Sequence, residues 1–233
     1  MSQRPDRYPT VTFRARLSFL RLPMGLVESF SSAPIADLSD AVGRLYTMDS
    51  SIRPLYPDAP RLLGSAVTVK CPAGDNFGVK SALRLIEPGD VLVIDGQGFT
   101  DWCLGGFRML EEAIADRGLR GVIVNGAYRD AEQCSAARFA VYAKAISPWS
   151  GPKRGPAEIN VPVACGGVIV EPGDVVVADQ DGAVVVPRLF ATAVLRRIQS
   201  PEISYSAATD LERDRQFWAE FEARGGVMID PQQ

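Results

Sequence analysis

An arginine and an aspartate stand side by side in GVIVNGAYRDAEQ, Gly121 to Gln133, directly after a run that reads as a buried strand. A guanidinium can grip a carboxylate with two parallel hydrogen bonds, and an aspartate carboxylate suits a hard cation. Arg129 and Asp130 are therefore first candidates for a site that takes a small acid and a metal ion. Adjacent residues on an extended strand face opposite ways, but at a turn both can enter one cavity. Two structural roles compete with this reading: a local ion pair, and N-capping of the helix that follows by Asp130.

Two other loops carry suitable groups. GDN, Gly74 to Asn76, ends another expected strand. There Asp75 and Asn76 either cap the helix starting at Phe77 or stand behind a metal's own ligands. LGGFRML, Leu104 to Leu110, puts two glycines before a helix. Free backbone N–H groups and the helix dipole at such a start favour an anion.

The chain contains no histidine among its 233 residues. Ser-His-Asp and Cys-His nucleophile systems, a histidine general base and imidazole metal ligation are thereby excluded. Carboxylates, Lys, Tyr, Cys or bound water must move protons. A metal site would be oxygen-rich, which favours Mg²⁺ or Mn²⁺ over zinc. The cysteines, at 71, 103, 134 and 165, form no C-x-x-C pair and read as free thiols in or near the core. Cys103 lies near the candidate loops with nothing to activate it. A net charge of -3 gives no general attraction to nucleic acid. Lys153 and Arg154, beside Trp149, read as a solvated loop. No segment has signal-peptide or transmembrane character, so a cytoplasmic address without membrane contact is expected.

The elements that must position these residues alternate. Pro34 is expected to open a helix over PIADLSDAVGRL, capped by Ser32 or Ala33. GSAVTVKC reads as a strand in which Val67 and Val69 alternate with Thr68 and Lys70. A helix is expected over Phe77 to Ile86, then a strand in EPGDVLVID. Residues 106 to 117 predict an amphipathic helix burying Phe107, Leu110 and Ile114 and ended by Gly118. GVIVNG and AVYAKA are strands around a short helix, Ala131 to Phe139. After the loop SPWSGPKRGPAEIN, the chain from Val161 to Pro187 is nearly all strand and turn. EPGDV occurs at 87–91 and again at 171–175, and the two copies read as equivalent sheet corners. Helices are expected over 189–199 and 207–224, the latter carrying Leu211, Phe217, Trp218 and Phe221 to its own core or to a neighbouring subunit. The organisation predicted is an N-terminal arm over 1–33, a core over 34–199 and a C-terminal helix and tail over 200–233. The fold class is α/β, with ligands at strand ends.

GDN, PGDVLVIDGQG, the glycine-rich helix start, RGLRGVIVNGAYRD and NVPVACGGVIVEPGDVVVADQDGAVVVP follow in this order. Together they resemble the RraA-like family, over roughly Pro34 to Pro187. This family includes 4-hydroxy-4-methyl-2-oxoglutarate aldolases and regulators of ribonuclease E activity, and some members are labelled dimethylmenaquinone methyltransferases. The resemblance implies a swivelling β/β/α core of the phosphohistidine-domain type, assembled as trimers or hexamers with sites between subunits. In the aldolase branch it assigns Asp130 to a divalent cation and Arg129 to the oxo-acid. It assigns the backbone of Phe107, Arg108, Met109 and Leu110 to the same substrate.

The implied activity is metal-dependent cleavage of a small oxo-acid through a pyruvate enolate, with oxaloacetate decarboxylation as a related reaction. The rival is a non-catalytic, protein-binding regulator; that branch lacks the aspartate after the arginine, which this chain has. A phosphocarrier would need a histidine. A nucleotide-binding methyltransferase would need glycine where G-x-G-x-x-G meets Asp101. Two departures from the aldolase pattern stand out. The acidic residue expected before the Arg-Asp pair, with twenty residues between, is Arg108, and the acidic residue expected near the C-terminus aligns with Gly226. The added cation predicts a preference for substrates with two or more carboxylates.

Overall fold

A computed structural model describes residues 13–200 and 207–226. In chain order its elements are β1 (Phe13–Ala15), α1 (Met24–Glu28), α2 (Ile35–Ala41), β2 (Arg53–Pro54), β3 (Leu62–Lys70) and α3 (Phe77–Ala82). Then come β4 (Asp90–Asp95), α4 (Phe107–Arg117), β5 (Gly121–Tyr128), α5 (Ala131–Ala136) and β6 (Ala140–Ile146). The second half contributes β7 (Ala157–Ile159), β8 (Val163–Cys165), β9 (Val168–Val170), β10 (Val175–Asp179), β11 (Gly182–Val186), α6 (Ala191–Ile198) and α7 (Ala207–Ala223).

Four parallel strands, β3-β4-β5-β6, form the centre of the sheet. Their apolar runs are buried on both faces, the pattern expected when both sides of a parallel sheet are covered. Crossover helices α3, α4 and α5 cover one face, where Val79, Leu110 and Cys134 meet Val69, Leu92 and Val124. The other face packs Ala66, Val93 and Ile123 against the β8-β9 hairpin and the inward side of β10 and β11. The outward valines of β10 and β11, such as Val177 and Val184, form a third core with α1, α2 and α6. The result is a helix layer on a central sheet, with a second β layer behind it. Thr68 is buried because its hydroxyl donates to the Val161 carbonyl, so the polar half of the β3 alternation does not face water.

Pro34 occupies the N-cap of α2 instead of its first turn, and neither Ser32 nor Ala33 caps the helix. The helix expected over Phe77 to Ile86 ends at Ala82 and tightens into a 3-10 turn over Leu83–Leu85. α4 buries Leu110 and Ala113 and leaves Phe107 and Ile114 half-buried; Gly118, in the left-handed region, ends it.

Both EPGDV copies form corners of one type. Gly89 and Gly173 have φ of 95° and 89°, which side-chain-bearing residues avoid. In each corner the aspartate accepts the N–H three residues back, Glu87 to Asp90 at 2.8 Å and Glu171 to Asp174 at 2.9 Å. The Ser65 amide donates to the Gly89 carbonyl and the Ala66 amide to the Asp174 carbonyl, so the two corners flank β3.

Among the described residues no helix is long and apolar enough to cross a membrane. Phe217, Trp218 and Phe221 of α7 are exposed on this chain, with the Trp218 and Phe221 rings stacked 5.6 Å apart. The acidic position aligned with Gly226 sits at the end of the described chain, and the arm before residue 13 and the tail after residue 226 lie outside it.

Candidate functional site

β5 carries Arg129 and Asp130 out of the sheet at its C-terminal end, where its pairing with β6 shifts register between Val124 and Ala127. Two neighbouring segments are pinned to that end. Leu104 N–H donates to the Ala127 carbonyl at 2.9 Å, Arg129 N–H to the Gly105 carbonyl at 3.2 Å, and Cys103 N–H to the Trp149 carbonyl at 2.7 Å. The glycine-rich start of α4 and the loop after β6 are thus brought against the Arg-Asp pair.

Asp130 has φ of 63° and ψ of 38°, a left-handed conformation that costs a residue with a side chain about 1 kcal/mol. It sits at the N-cap of α5, yet its carboxylate does not cap that helix. Instead Oδ2 accepts the Phe107 N–H, the first amide of α4, at 2.9 Å. A Cβ on Gly106 would come within 2.2 Å of the same oxygen, so the glycine is what admits the carboxylate. Oδ1 is left 3.7 Å from Arg129 Nε, too far for a hydrogen bond. Among the described residues the buried Arg129 Nε has no hydrogen-bond partner, and its Nη1 donates to the Pro148 carbonyl at 3.3 Å. The turn thus leaves Asp130 Oδ1 and the Arg129 guanidinium side by side as a loose ion pair with no hydrogen bond between them.

Both residues line a cleft of about 400 Å³, together with Lys80, Arg108, Glu112 and Lys153. Arg108 is exposed at its edge, in the cleft where the sequence placed it. Met109 also lines it, whereas Leu110 is fully buried beneath and Phe107 packs against Phe139. The Phe107 amide is taken by Asp130 and the Met109 amide by the Gly106 carbonyl, so neither is free for a substrate.

Asp75 and Asn76 separate. Asp75 is buried and accepts N–H groups from Phe77, Arg154 and Gly155, fastening the 152–155 loop to the start of α3. Asn76 lines the cleft, with a buried Oδ1 that has no hydrogen-bond partner among the described residues.

The thiols offer no nucleophile. All four cysteines are free and buried, and burial pushes Cys103, which lines the cleft, above the usual thiol value. Tyr128, fully buried under the site, is likewise pushed well above the phenol range by burial. With thiol and phenol set aside, carboxylates, lysines and bound water are left to move protons, and Glu112 joins Asp130, Lys80 and Lys153 on the cleft wall. Among the described residues no three His, Cys, Asp or Glu side chains gather in a metal cage. The donor set still fits Mg²⁺ or Mn²⁺, because Mg²⁺ is commonly held by one or two carboxylates with water completing its shell. Lys80, Glu112 and Lys153 were not singled out as cleft residues from the sequence. The i, i+4 spacing of Arg108 and Glu112, and of Asn76 and Lys80, could have signalled shared faces.

The family model described as RraA-like, Aldolase/RraA, matches residues 35–185. A protein of Halalkalibacterium halodurans named "Putative 4-hydroxy-4-methyl-2-oxoglutarate aldolase" is 34% identical over 189 residues, covering 81% of this chain and 87% of that relative. Among solved structures, an uncharacterized protein from Pseudomonas syringae shares the fold, with a TM-score of 0.68 at 23% identity over 90% of this chain and 97% of that one. The RNA-processing inhibitor RraA from Thermus thermophilis superposes with a TM-score of 0.60 at 31% identity, covering 67% of this chain and 93% of that one. The chain belongs to the RraA-like, Aldolase/RraA family.

Proposed function

We propose that the chain is a divalent-metal-dependent lyase that cleaves a small oxo-acid through a pyruvate enolate, of the 4-hydroxy-4-methyl-2-oxoglutarate aldolase type. The observation that carries this reading is the pair at the end of β5: Asp130 Oδ1 and Arg129 Nε form a loose ion pair at 3.7 Å, and among the described residues the buried Nε has no hydrogen-bond partner. A relative named for that aldolase supports it. The swivelling, phosphohistidine-type description of the fold and assembly as a trimer or hexamer belong to the same proposal.

Asp130 would hold Mg²⁺ or Mn²⁺, and the cation would supply the positive charge that lowers the energy of an enolate. Arg129 binds the substrate carboxylate, the bidentate geometry for which a guanidinium is suited. Arg108, at the cleft edge, adds attraction for a second carboxylate. Glu112, on the same face one turn on, accepts the proton of the 4-hydroxyl as the C3–C4 bond breaks. Its electron pair remains on C3 and a carbonyl forms at C4; protonation of C3 then gives pyruvate. No imidazole or lysine Schiff base is needed. Oxaloacetate decarboxylation would use the same enolate, with carbon dioxide as the leaving fragment.

Pyruvate release from a panel of oxo-acids, with Mg²⁺, Mn²⁺ or chelator, tests the reading. Metal-dependent release is expected, strongest for dicarboxylates, and it falls when Glu112 is replaced by Gln. Release that survives chelation would overturn the metal assignment. No release from any acid, with intact binding to a ribonuclease partner, would favour the regulator that the structural relative's name suggests. Oxalate is expected to bind more tightly than pyruvate, and Arg108→Ala to narrow that difference by about threefold, as for a partly screened charge.

A further inference from the structure

The segment that leaves β6, Ser147 to Pro156, belongs to no helix or strand, and three prolines interrupt it. Yet it supplies the Pro148 carbonyl that accepts Arg129 Nη1 at 3.3 Å, and it places Ser150 and Lys153 on the cleft wall. A loop with no ladder of its own needs a brace if it is to hold a guanidinium in one orientation.

Trp102 occupies the place of that brace. It is half-buried, does not line the cleft, and touches the loops that build it. Its indole meets the Phe99 ring edge-on at 5.7 Å and the Trp149 ring, tilted by 45°, at 5.6 Å. Two glycines close on it from other loops. A Cβ on Gly74 would lie 2.8 Å from Trp102 Cε3; one on Gly151 would lie 3.0 Å from the same carbon and 2.1 Å from the Gly74 carbonyl oxygen. The GDN loop and the loop after β6 therefore meet backbone to backbone against the indole, an approach that side chains at these two positions would prevent. Hydrogen bonds fasten both neighbours of Trp102 to the same loop. Ser147 Oγ donates to the Asp101 carbonyl, and Cys103 N–H donates to the Trp149 carbonyl at 2.7 Å. Pro148 lies between these two fastenings.

We propose that Trp102 is a positioning residue for acid binding: through Trp149 and Gly151 it fixes the Pro148 carbonyl, which aims the Arg129 guanidinium into the cleft. The indole itself touches no substrate. This rests on the lyase reading, since Arg129 is taken to hold the oxo-acid. A guanidinium that grips a carboxylate through two parallel bonds depends on its angle, as a point charge does not. Asp130 is held from another side, by the first amide of α4, so the brace acts on the acid-binding half of the site.

Oxalate and pyruvate affinities, measured by titration calorimetry with Mg²⁺, test the proposal. Trp102→Ala is expected to weaken oxalate about tenfold, because a misaimed guanidinium loses one of its two parallel bonds. Trp102→Phe, which returns a ring to the space between Phe99 and Gly74, should recover affinity to within about threefold of wild type. In an Arg129→Lys background no fork remains to be aimed, so Trp102→Ala should there weaken oxalate by less than about twofold. Gly151→Ala leaves both indoles in place but forces the two loops apart, and should reproduce the weakening. It carries the test if circular dichroism shows that Trp102→Ala does not fold. Wild-type affinity in folded Trp102→Ala or in Gly151→Ala overturns the proposal. Equal weakening in both Arg129 backgrounds also overturns it, because that is the mark of a merely structural tryptophan. Either result leaves the lyase reading standing. Wild-type protein that binds neither oxalate nor pyruvate overturns the lyase reading and the proposal with it.

Discussion

Asp90 and Asp130 stand at opposite ends of neighbouring strands and are used in opposite ways. Asp90 opens β4. Its Oδ1 accepts Arg21 Nε at 2.9 Å, and its Oδ2 accepts Arg21 Nη2 at 2.9 Å and the Glu87 amide at 2.8 Å. Asp174, in the matching corner, accepts the Glu171 and Arg188 amides at 2.9 Å each. Asp130 follows β5 and spends one oxygen on the Phe107 amide, while the other has no hydrogen bond among the described residues. Carboxylates whose oxygens are all engaged hold corners together. A carboxylate with an open oxygen, kept in a strained turn beside a guanidinium, has capacity left for a ligand.

The largest effect should come from breaking a saturated corner. Asp90→Ala leaves the half-buried Arg21 guanidinium without its bidentate partner and should cost about 3 kcal/mol in denaturant unfolding. Turnover per folded molecule should stay near wild type; a collapse of turnover in fully folded protein would place Asp90 in the site after all.

Asp130→Asn should produce the converse. Asparagine tolerates the left-handed conformation and keeps an oxygen for the Phe107 amide, so stability should shift by no more than about 0.5 kcal/mol. Oxo-acid turnover should fall about a hundredfold through loss of the charge that holds the cation. Equal turnover in the two proteins would make Asp130 another structural carboxylate.

Gly106→Ala probes how closely the two halves of the site must approach. Its methyl would meet Asp130 Oδ2, and the carboxylate must turn aside. About tenfold lower turnover is expected, with only a modest stability change. An unaltered rate would mean that the Asp130–Phe107 contact is dispensable.

The smallest effect is on stability against pH. Burial raises both Asp90 and Asp174 above the ordinary carboxylate value of 3.8, although Arg21 opposes it at the first and backbone amides at the second. A raised folded value means that the folded state holds these protons more tightly. Their contribution is therefore fully present below pH 3.8 and is lost as pH rises through the folded values. Asp174→Asn should flatten its share of that slope in chemical denaturation curves collected across acidic pH. An unchanged slope would remove Asp174 as its source.

The corners and strands were legible because their physics is local. Pro-Gly-Asp specifies a turn, and a run such as DVLVID can only be a strand covered on both faces. The Arg-Asp pair was legible from residue type and from its place at a strand end, but its choice of partner was not. Nothing near Asp130 in sequence announces that it will bond Phe107 across a gap of 23 residues and decline to cap its own helix. The wall of the cleft was harder still. Lys80 reads as a solvent-facing helix residue and Lys153 as a charge in a Gly/Pro loop, and the buried Asp75 carboxylate together with the Asn76 amide, which donates to the Pro152 carbonyl, brings that loop to α3. Pro34 shows the limit of positional rules: its fixed φ suits either the N-cap or the first turn, and its ψ of 143° decides for the cap.

The same carboxylate that faces the cleft also holds the first amide of α4. Charge drawn from one oxygen is felt at the other, so whatever occupies the cleft alters the polarisation of the Phe107 N–H. That proton is a built-in reporter. Its chemical shift in an amide-resolved spectrum registers occupancy next door without any label placed in the cleft.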